Sequence, residues 1–365
     1  MSDAAATMEC LVWHGGRSVA VERAPLPQPG PDQVLAEVVL AGICGSDLHQ
    51  YRGANGPRVP PLILGHEAIL EVPGWPGRYV LFPIVACGAC AACERGEANL
   101  CATRGLVGLD RPGVFAERVA VDASALIALP DGMDARVAVL TEPLAASVSA
   151  LRMAGLAPQS RLAIVGAGPI GLLAVHAAVS AGVHPVVVDP LAPRRELALA
   201  LGAERAVDDP AALPTHGADI VLDAVGSEPA WRGAIAAVRS GGTVVVLGLA
   251  QADGGVPVGE LVRRGVTLRG HYAYTRSDFE AALELLAERP PAIDWLDFAE
   301  LSAGEQSFRQ IVDSPERVTK VILTMARAGA VHRDATGASS ATHRSADAGE
   351  AGMSPGSRGS TVSAT

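Results

Sequence analysis

The sequence predicts an α/β protein in which a mostly β first half is followed by a doubly wound parallel sheet. Apolar strands alternate with helical segments from Arg161 onward, as is typical of a parallel sheet with helices on both faces. A hydrophobic content of 49% and 40 glycines suit strands that are buried on both sides. The length of 365 residues favours about two domains rather than one core.

Charge and composition narrow the range of partners. The net charge of −10 argues against nucleic acid or an anionic membrane as the main partner, because both bind basic patches. No apolar run is long enough to span a membrane, and the opening MSDAAATMEC lacks the basic start and apolar core of a signal peptide. We therefore expect a cytoplasmic protein that acts on a small molecule. Six cysteines in that compartment indicate metal binding or catalysis before disulfides.

The first half begins with β structure that leads into a group of reactive side chains. Residues 8–31 have the apolar stretches and Pro/Gly punctuation of short strands, and residues 33–45 predict a longer strand. The run from Ala41 to Glu67 then supplies a thiolate, imidazoles and carboxylates, which are the ligand types of a catalytic zinc. A buried cysteine beside a core histidine is the alternative, since free cysteine is among the most buried residue types.

We predict that this run binds zinc and an alcohol together. The predicted metal ligands are Cys44, His66 and Glu67. Ser46 and His49 are predicted to move a proton for the alcohol bound to the metal.

Four cysteines lie close together further along the chain. Cys87, Cys90, Cys93 and Cys101 are separated by two, two and seven residues. Four thiolates can close a tetrahedral shell, and a closed shell marks a structural zinc without a place for substrate. An iron–sulfur cluster is the alternative, because it also takes four cysteine thiolates. So short a segment has little core of its own, and we expect the metal to supply most of its folding energy.

A carboxylate stands inside a helical pattern. Residues 113–132 return to β character and end in a Pro-Asp-Gly turn, and residues 133–155 then show helical spacing of apolar residues. Glu142 lies within that apolar pattern. It is either a solvated residue or a buried functional group, because burial without a partner would be costly.

The stretch 162–182 predicts a strand, a glycine turn and a helix. Its glycines fit the pattern GxGxxG, and the helix begins with a proline, whose missing N–H does no harm there. Such a turn lets the backbone approach a pyrophosphate at the helix N-terminus. An α/β domain without a nucleotide is the alternative. The predicted cofactor-binding residues of this turn are Gly166, Gly168, Pro169, Ile170 and Gly171.

The next strand ends at Asp189, eighteen residues beyond Gly171. An acid at this place meets the ribose hydroxyls of the adenosine and repels a 2′-phosphate, so NAD is favoured over NADP. Arg194 and Arg195 follow a few residues later and keep NADP open. We include Arg194 among the predicted cofactor-binding residues.

The alternation continues with predicted strands at 217–223, 243–249 and 266–274. Residues 277–290 predict an amphipathic helix that is capped by Ser277 and ended by a proline. Residues 316–325 predict a last strand. Small and polar residues dominate after Met325, and we expect a disordered tail there.

Five motifs follow one another along the chain: CGSDLH, LGHE, the four-cysteine segment, TEPLA and GAGPIG. In this order they resemble the zinc-dependent medium-chain alcohol dehydrogenases over residues 8–325. The GHE followed by EPLA looks most like the polyol branch, which includes sorbitol, galactitol-phosphate and threonine dehydrogenases. The resemblance implies a GroES-like, mostly β catalytic domain that is interrupted by a Rossmann domain.

The domain boundaries follow from this resemblance. Residues 1–149 would form the first part of the catalytic domain, with the structural-zinc lobe at 87–101, and residues 150–274 the NAD-binding Rossmann domain. Residues 275–325 would return to complete the catalytic domain, and residues 326–365 would be the tail.

The resemblance also implies roles at the metal. Cys44 and His66 would bind the catalytic zinc, with Glu67 as the third ligand. Glu142 would contact the zinc-bound water or move onto the metal, so the two glutamates compete for the third position. Asp47 would accept a hydrogen bond from the ring of His66.

For the proton, the resemblance implies that Ser46 hydrogen-bonds the substrate hydroxyl and that His49 passes its proton through the ribose to solvent. The chain departs from the family at Leu70, where a glycine is usual, and at GRYV, where a GDRV-like turn is usual. The segment between them is several residues short. We therefore expect a trimmed β-lobe and an altered pocket rim beside the active site.

The expected function is hydride transfer between NAD and a secondary alcohol, such as a polyol, a sugar or a sugar derivative, by way of a zinc-bound alkoxide. The physical reason is that zinc lowers the pKa of a bound oxygen by several units. Two zinc ions per chain and a homodimer or homotetramer are implied. A threonine-type amino-alcohol dehydrogenase is the second hypothesis, and a noncatalytic zinc- and nucleotide-binding protein is the third.

Overall fold

The computed structural model of the protein describes residues 6–53 and 58–325. In its first half, strands β1 (Thr7–Gly15) and β2 (Ser18–Pro25) form a hairpin that β4 (Leu62–Ile63) extends to three antiparallel strands. The short strands β7 (Ile84–Val85) and β8 (Gly105–Leu106) pair with each other. Because they flank the four cysteines in the chain, their pairing closes this segment into a lobe.

A seven-stranded sheet forms the centre of the first half. Its members are β3 (Gln33–Gly42), β5 (Glu67–Glu71), β6 (Tyr79–Leu81), β9 (Arg118–Asp122), β10 (Leu126–Ala128), β17 (Leu296–Glu300) and β18 (Lys320–Thr324). The order is β10-β6-β5-β3-β18-β17, and β9 also pairs with β3. Strand β18 runs antiparallel to β3. The last strand of the described chain therefore lies inside a sheet that begins near residue 33.

The second half is a parallel sheet of six strands, in the order β13-β12-β11-β14-β15-β16. The strands are β11 (Leu162–Val165), β12 (Val186–Val188), β13 (Arg205–Val207), β14 (Ala218–Asp223), β15 (Val238–Val246) and β16 (Thr267–Gly270). The helices between them are α5 (Pro169–Ser180), α6 (Ala192–Ala200), α7 (Glu228–Ala237) and α8 (Val258–Arg264). The order reverses beside β11, where ligands bind in open parallel sheets. The predicted α/β class with a doubly wound sheet is confirmed.

The other helices border the first half and join it to the second. They are α1 (Gly45–Tyr51), α2 (Ala91–Glu94), α3 (Ala135–Ala138), α4 (Thr141–Met153), α9 (Arg276–Glu288) and α10 (Gly304–Asp313). One core cluster contains Leu40 of β3, Leu144 of α4, Ile164 of β11 and Phe279 of α9, all buried. A continuous apolar core therefore connects the two sheets.

The sequence missed some local detail. Residues 133–155 form two helices, α3 and α4, instead of one. The cap of α9 is Thr275 and not Ser277, because Asp278 stands three residues after Thr275 and the two form a reciprocal capping box. Strand β15 begins five residues earlier than the predicted 243, and β13, β17 and α10 were not predicted. The predicted tail lies outside the described residues.

None of the helices in the described ranges is long and apolar enough to cross a membrane.

Asp278 ties α9 to α4. Its carboxylate accepts hydrogen bonds from Ser149 Oγ at 2.7 Å and Arg152 Nε at 2.6 Å, besides those from Thr275. Burial would raise the pKa of Asp278, but the bonds from Arg152, Thr275 and Ser149 lower it to about 2. The folded state thus binds the ionised form more tightly than the unfolded chain does, where the pKa is about 3.9.

We expect Asp278→Asn to lower the free energy of unfolding by about 2 kcal/mol at neutral pH. In the parent protein this contribution is complete above about pH 4 and is lost as the pH falls toward 2, so the variant and the parent should converge there. Urea denaturation at pH 7 and pH 3 measures the difference. The same change at the exposed Asp131 is the matched control and should cost less than about 0.5 kcal/mol at either pH. An equal cost for Asp278→Asn at both pH values would contradict the assignment.

Candidate metal centres and dinucleotide turn

Strand pairing brings three predicted zinc ligands together. In the antiparallel register of β3 and β5, Gly42 lies opposite Glu67. Cys44 lies two residues after the end of β3 and caps α1, and His66 immediately precedes β5. Both side chains therefore lie next to the Gly42–Glu67 pair. The ligand atoms of Cys44, His66 and Glu67 lie within 4.8 Å of one another. A Cβ atom on Gly42 would overlap the Glu67 carboxylate, so glycine at this point gives that side chain its room.

The charges and unpaired atoms of this group fit a cation. Within the described ranges, Glu67 Oε1 is buried without a hydrogen-bond partner, which is costly unless a metal or charge compensates it. Burial alone would lower the pKa of His66, but Cys44, Asp47 and Glu142 raise it to about 10. A pKa raised this far in a buried imidazole indicates an excess of negative charge around it. These residues form a Cys/His/Glu zinc site of the open kind.

Lys320 is a partner of the metal group that sequence reasoning missed. Its ammonium lies 2.6 Å from Glu67 Oε2 and donates a hydrogen bond of 3.2 Å to the carbonyl of Ile43. Both Lys320 and Glu67 are 1% exposed or less. A signal was present in the sequence, because Lys320 is the only lysine in a chain that contains 29 lysine and arginine residues.

Asp47 is turned toward an arginine and not toward His66. Its Oδ1 accepts a hydrogen bond of 3.0 Å from Arg58, and its Oδ2 accepts one of 3.1 Å from the backbone N–H of Cys44. The predicted hydrogen bond from His66 is not formed, since Nδ1 lies 3.8 Å from Asp47 Oδ1. The buried Arg58, which was also missed, competes for this oxygen and leaves only an electrostatic contact to the imidazole.

Ser46 and His49 lie on α1 beside the metal group. Ser46 is exposed, and its Oγ accepts a hydrogen bond of 3.1 Å from Arg58, which leaves its own proton free to donate. His49 is half-buried. Burial, followed by the charge of Arg52, lowers its pKa, although the ring also donates a hydrogen bond to the backbone carbonyl of Leu249, which acts in the opposite direction. Leu249 follows β15, so His49 faces the half of the chain that carries the parallel sheet.

Glu142 lies in the first turn of α4, outside the group of three ligands. Its Oε1 accepts a hydrogen bond of 2.6 Å from the hydroxyl of Tyr274, a residue that sequence reasoning missed. Burial raises the pKa of Glu142 to about 7, and the carboxylate of Glu67 adds to the rise. It is thus a buried carboxyl rather than a solvated residue, with Tyr274 as its partner.

The four cysteines form a second metal group. Sγ separations are 3.5 Å for Cys87 and Cys101, 3.6 Å for Cys90 and Cys93, and 3.9 Å for Cys87 and Cys93. A Zn–S bond of about 2.3 Å places the corners of a tetrahedron about 3.8 Å apart. The separations therefore fit one zinc ion, and they are too short for thiolates spread around a cluster of several irons. This is a structural zinc site without an open position.

The glycine turn between β11 and α5 has the geometry of a dinucleotide site. Gly166 has a φ of +95°, and a Cβ on Gly171 would overlap the carbonyl of Gly166, so the turn needs both glycines. A Cβ on Gly168 would meet open space among the described residues, on the side where a pyrophosphate approaches. Pro169 occupies the first position of α5, as predicted, and the carbonyl of Ile170 accepts a hydrogen bond from Ser147.

Asp189 ends β12 beside this turn. Its two carboxylate oxygens accept hydrogen bonds from the backbone N–H groups of Ala167, at 2.8 Å, and Leu191, at 2.9 Å. Arg195 is engaged with the carbonyls of Asp189 and Pro190. Arg194 instead points its guanidinium toward the Asp189 carboxylate at 3.9 Å. Of the two arginines, Arg194 is the one whose guanidinium faces the Asp189 carboxylate.

Comparison with known proteins decides the family. One family model, "Alcohol dehydrogenase GroES-like domain", matches residues 30–131, and another, "Zinc-binding dehydrogenase", matches residues 169–288. L-Galactonate-5-dehydrogenase of Escherichia coli is 32% identical over 87% of this chain and 99% of its own length. The chain belongs to the zinc-binding medium-chain alcohol dehydrogenases. The predicted family, with its GroES-like and Rossmann domains, is confirmed.

Other relatives of this dehydrogenase differ in their named substrates and cofactors. L-Threonine 3-dehydrogenase of Pyrococcus horikoshii is 35% identical over 67% of this chain and 75% of its own. A Sinorhizobium meliloti protein assigned as a zinc-binding dehydrogenase, solved with NADP, has a TM-score of 0.78 at 28% identity and covers 87% of this chain and 99% of its own. Acetophenone reductase of Geotrichum candidum, solved with NAD, has a TM-score of 0.80 at 25% identity and covers 87% and 97%. The dehydrogenase is accordingly a zinc-dependent enzyme of the NAD(P) type with a small alcohol as substrate.

Proposed function

We propose that this dehydrogenase transfers a hydride from a secondary alcohol of a polyol, sugar or sugar derivative to NAD. The observation that carries the proposal is the grouping of Cys44, His66 and Glu67 within 4.8 Å, because one thiolate, one imidazole and one carboxylate leave a fourth position for substrate. The relative from Escherichia coli, which this chain matches almost end to end, is named for a sugar acid.

In this proposal Glu67 is the third zinc ligand and Glu142 stands back from the metal. Two observations support this assignment of roles to the two glutamates. Oε1 of Glu67 has no hydrogen-bond partner in the part of the chain that the structure describes, so it is free to bind a cation. Oε1 of Glu142 is already bonded to Tyr274.

The substrate proton leaves by way of two side chains on α1, Ser46 and His49. Zinc, when bound, supplies the Lewis acidity that lowers the pKa of the substrate hydroxyl. Ser46 holds that hydroxyl, since Arg58 already donates to the Ser46 oxygen and leaves the serine proton to the substrate side. His49 accepts the proton next, because its lowered pKa keeps the ring neutral near pH 7. Both side chains border solvent, as a path for the proton requires.

NAD is the proposed cofactor, with Asp189 facing the ribose hydroxyls. The backbone bonds from Ala167 and Leu191 orient the carboxylate, and each of its oxygens keeps capacity for a further hydroxyl donor. Arg194 lies near enough to meet a 2′-phosphate, which keeps NADP as a weaker cofactor. Cofactor binding at the glycine turn and a homodimer or homotetramer are parts of the same proposal.

One experiment tests the function. Zinc per chain is measured on the purified protein, and NAD reduction is followed with polyols, sugar acids, sugar phosphates and L-threonine. We expect two zinc ions per chain and the highest kcat/KM with a polyol or sugar derivative. Turnover of threonine alone would favour the amino-alcohol alternative, which the Pyrococcus relative suggests. Two zinc ions and bound NAD without any turnover would favour the noncatalytic alternative.

A further inference from the structure

The linker between the parallel sheet and α9 contacts β15, the four-cysteine lobe and Glu142 of α4. It runs from His271 to Thr275. The N–H of His271 donates to the carbonyl of Val246 in β15, at 2.9 Å, and Thr275 caps α9. Between these fixed ends lie only three residues, so a contact at one of them constrains the others.

The four-cysteine lobe holds the first of the three. Asn99 donates a hydrogen bond of 2.7 Å from Nδ2 to the carbonyl of Tyr272. The guanidinium of Arg104 lies 4.4 Å from the centre of the Tyr272 ring and donates a hydrogen bond of 3.1 Å to the carbonyl of Cys101. Asn99 is only 8% exposed and the bond is partly buried, so its loss would leave a poorly solvated carbonyl without its donor.

The last of the three residues, Tyr274, holds Glu142. The hydroxyl of Tyr274 donates to Glu142 at 2.6 Å, and its ring packs against Phe82 and Phe279 with centroid distances of 6.0 and 5.5 Å. Tyr274 is 1% exposed. Its hydroxyl therefore has little freedom except through movement of the linker backbone.

The residue between the two tyrosines is strained. Ala273 has a φ of +53°, in the left-handed region that an L-residue with a side chain rarely adopts. Such a conformation persists only where the surroundings fix it on both sides. Here the contacts on the two sides are those of Tyr272 with the lobe and Tyr274 with Glu142.

We propose that the four-cysteine lobe positions the Glu142 carboxylate at the catalytic metal group, by fixing Tyr272 and thereby the Tyr274 hydroxyl. The proposal rests on the proposed function, in which Cys44, His66 and Glu67 hold the metal and Glu142 lies outside that group of ligands. Asn99, Tyr272 and Tyr274 are positioning residues, and the lobe is more than a stabilising element. Its zinc site orders the segment from which Asn99 and Arg104 reach the linker.

The test compares Asn99→Ala with Glu94→Ala, a change at an exposed residue on α2 of the same lobe. Both are made in the full chain with cobalt(II) in the catalytic site, whose visible absorption reports the coordination of the metal. We expect Asn99→Ala to shift the cobalt bands and to lower kcat about fivefold, with both metals retained and the KM for NAD unchanged within about twofold. Glu94→Ala should match the parent in all four measurements.

Tyr274→Phe separates positioning from general damage. It should shift the cobalt bands in the same way, and the double variant with Asn99→Ala should be no worse than Tyr274→Phe alone, because both changes remove one effect. If Asn99→Ala loses the lobe metal, Arg104→Ala at an exposed residue replaces it, with a smaller shift in the same direction. Additive losses in the double variant, or a parental spectrum in Asn99→Ala, would overturn the proposal. A spectral shift in a protein without alcohol turnover would instead support the positioning role and reject the proposed function.

Discussion

Cys44→Ser is expected to lower alcohol turnover by about three orders of magnitude, because it removes several kcal/mol of transition-state stabilisation. A serine hydroxyl stays protonated near neutral pH and is a poor zinc ligand, so the donor group falls from three to two. The four-cysteine site is separate and should keep its ion. Metal content should therefore fall from two zinc ions per chain to one, while the thermal unfolding midpoint changes by only a few degrees, as for a loss of about 1 kcal/mol.

Cys10→Ser is the matched control for that variant. Cys10 is fully buried, but it lies in a separate core cluster with Met8, Val12 and Ala116. The change there should cost some stability and leave both zinc ions and kcat intact. Two zinc ions and near-parental turnover in Cys44→Ser would show that Cys44 does not hold the catalytic metal.

Lys320→Met should have the largest effect on stability. It leaves the buried Glu67 carboxylate without its cation, and breaking a buried ion pair on one side costs about 3–5 kcal/mol. The loss should be greatest after chelation. In the zinc-loaded protein a metal on Glu67 would compensate part of it, so the difference between the two states measures whether Glu67 is a ligand.

Two further variants control this experiment. Lys320→Met combined with Glu67→Gln removes both charges and should recover most of the free energy of unfolding in the chelated protein. Lys320→Arg keeps the charge but needs more room than the compact ammonium, and it should fall between the parent and Lys320→Met. Guanidinium denaturation with and without chelator gives the values. Equal losses for Lys320→Met in both metal states would argue against Glu67 as a ligand.

The sequence predicted the ligands better than it predicted their partners. Cys44, His66 and Glu67 have the chemistry of zinc ligands and lie within 24 residues of each other, so type and proximity sufficed. Glu142 and Tyr274 are 132 residues apart, and Lys320 lies 277 residues beyond Ile43, so only the fold brings each pair together. The proposed choice between the two glutamates rests on those partners.

The same limit applies to the fold. Strands of the parallel sheet are short apolar runs between turn residues, and this pattern was sufficient for most of them. Strand β17 has exposed residues at Asp297 and Phe298 and a mixed pattern, because it lies at an edge, so no period marked it. The cap of α9 was ambiguous by sequence, since Thr275 and Ser277 both carry hydroxyls. The reciprocal bond with Asp278 decided it.

The solitary lysine makes the metal centre chemically addressable. No other side-chain amine exists in the chain, and this one is enclosed beside Glu67. An amine-directed label such as reductive methylation can therefore modify a side chain only when the catalytic group opens. The rate of labelling at Lys320, measured by mass spectrometry, reports how often the metal centre opens. The fraction that stays unlabelled reports the molecules in which the centre is shielded.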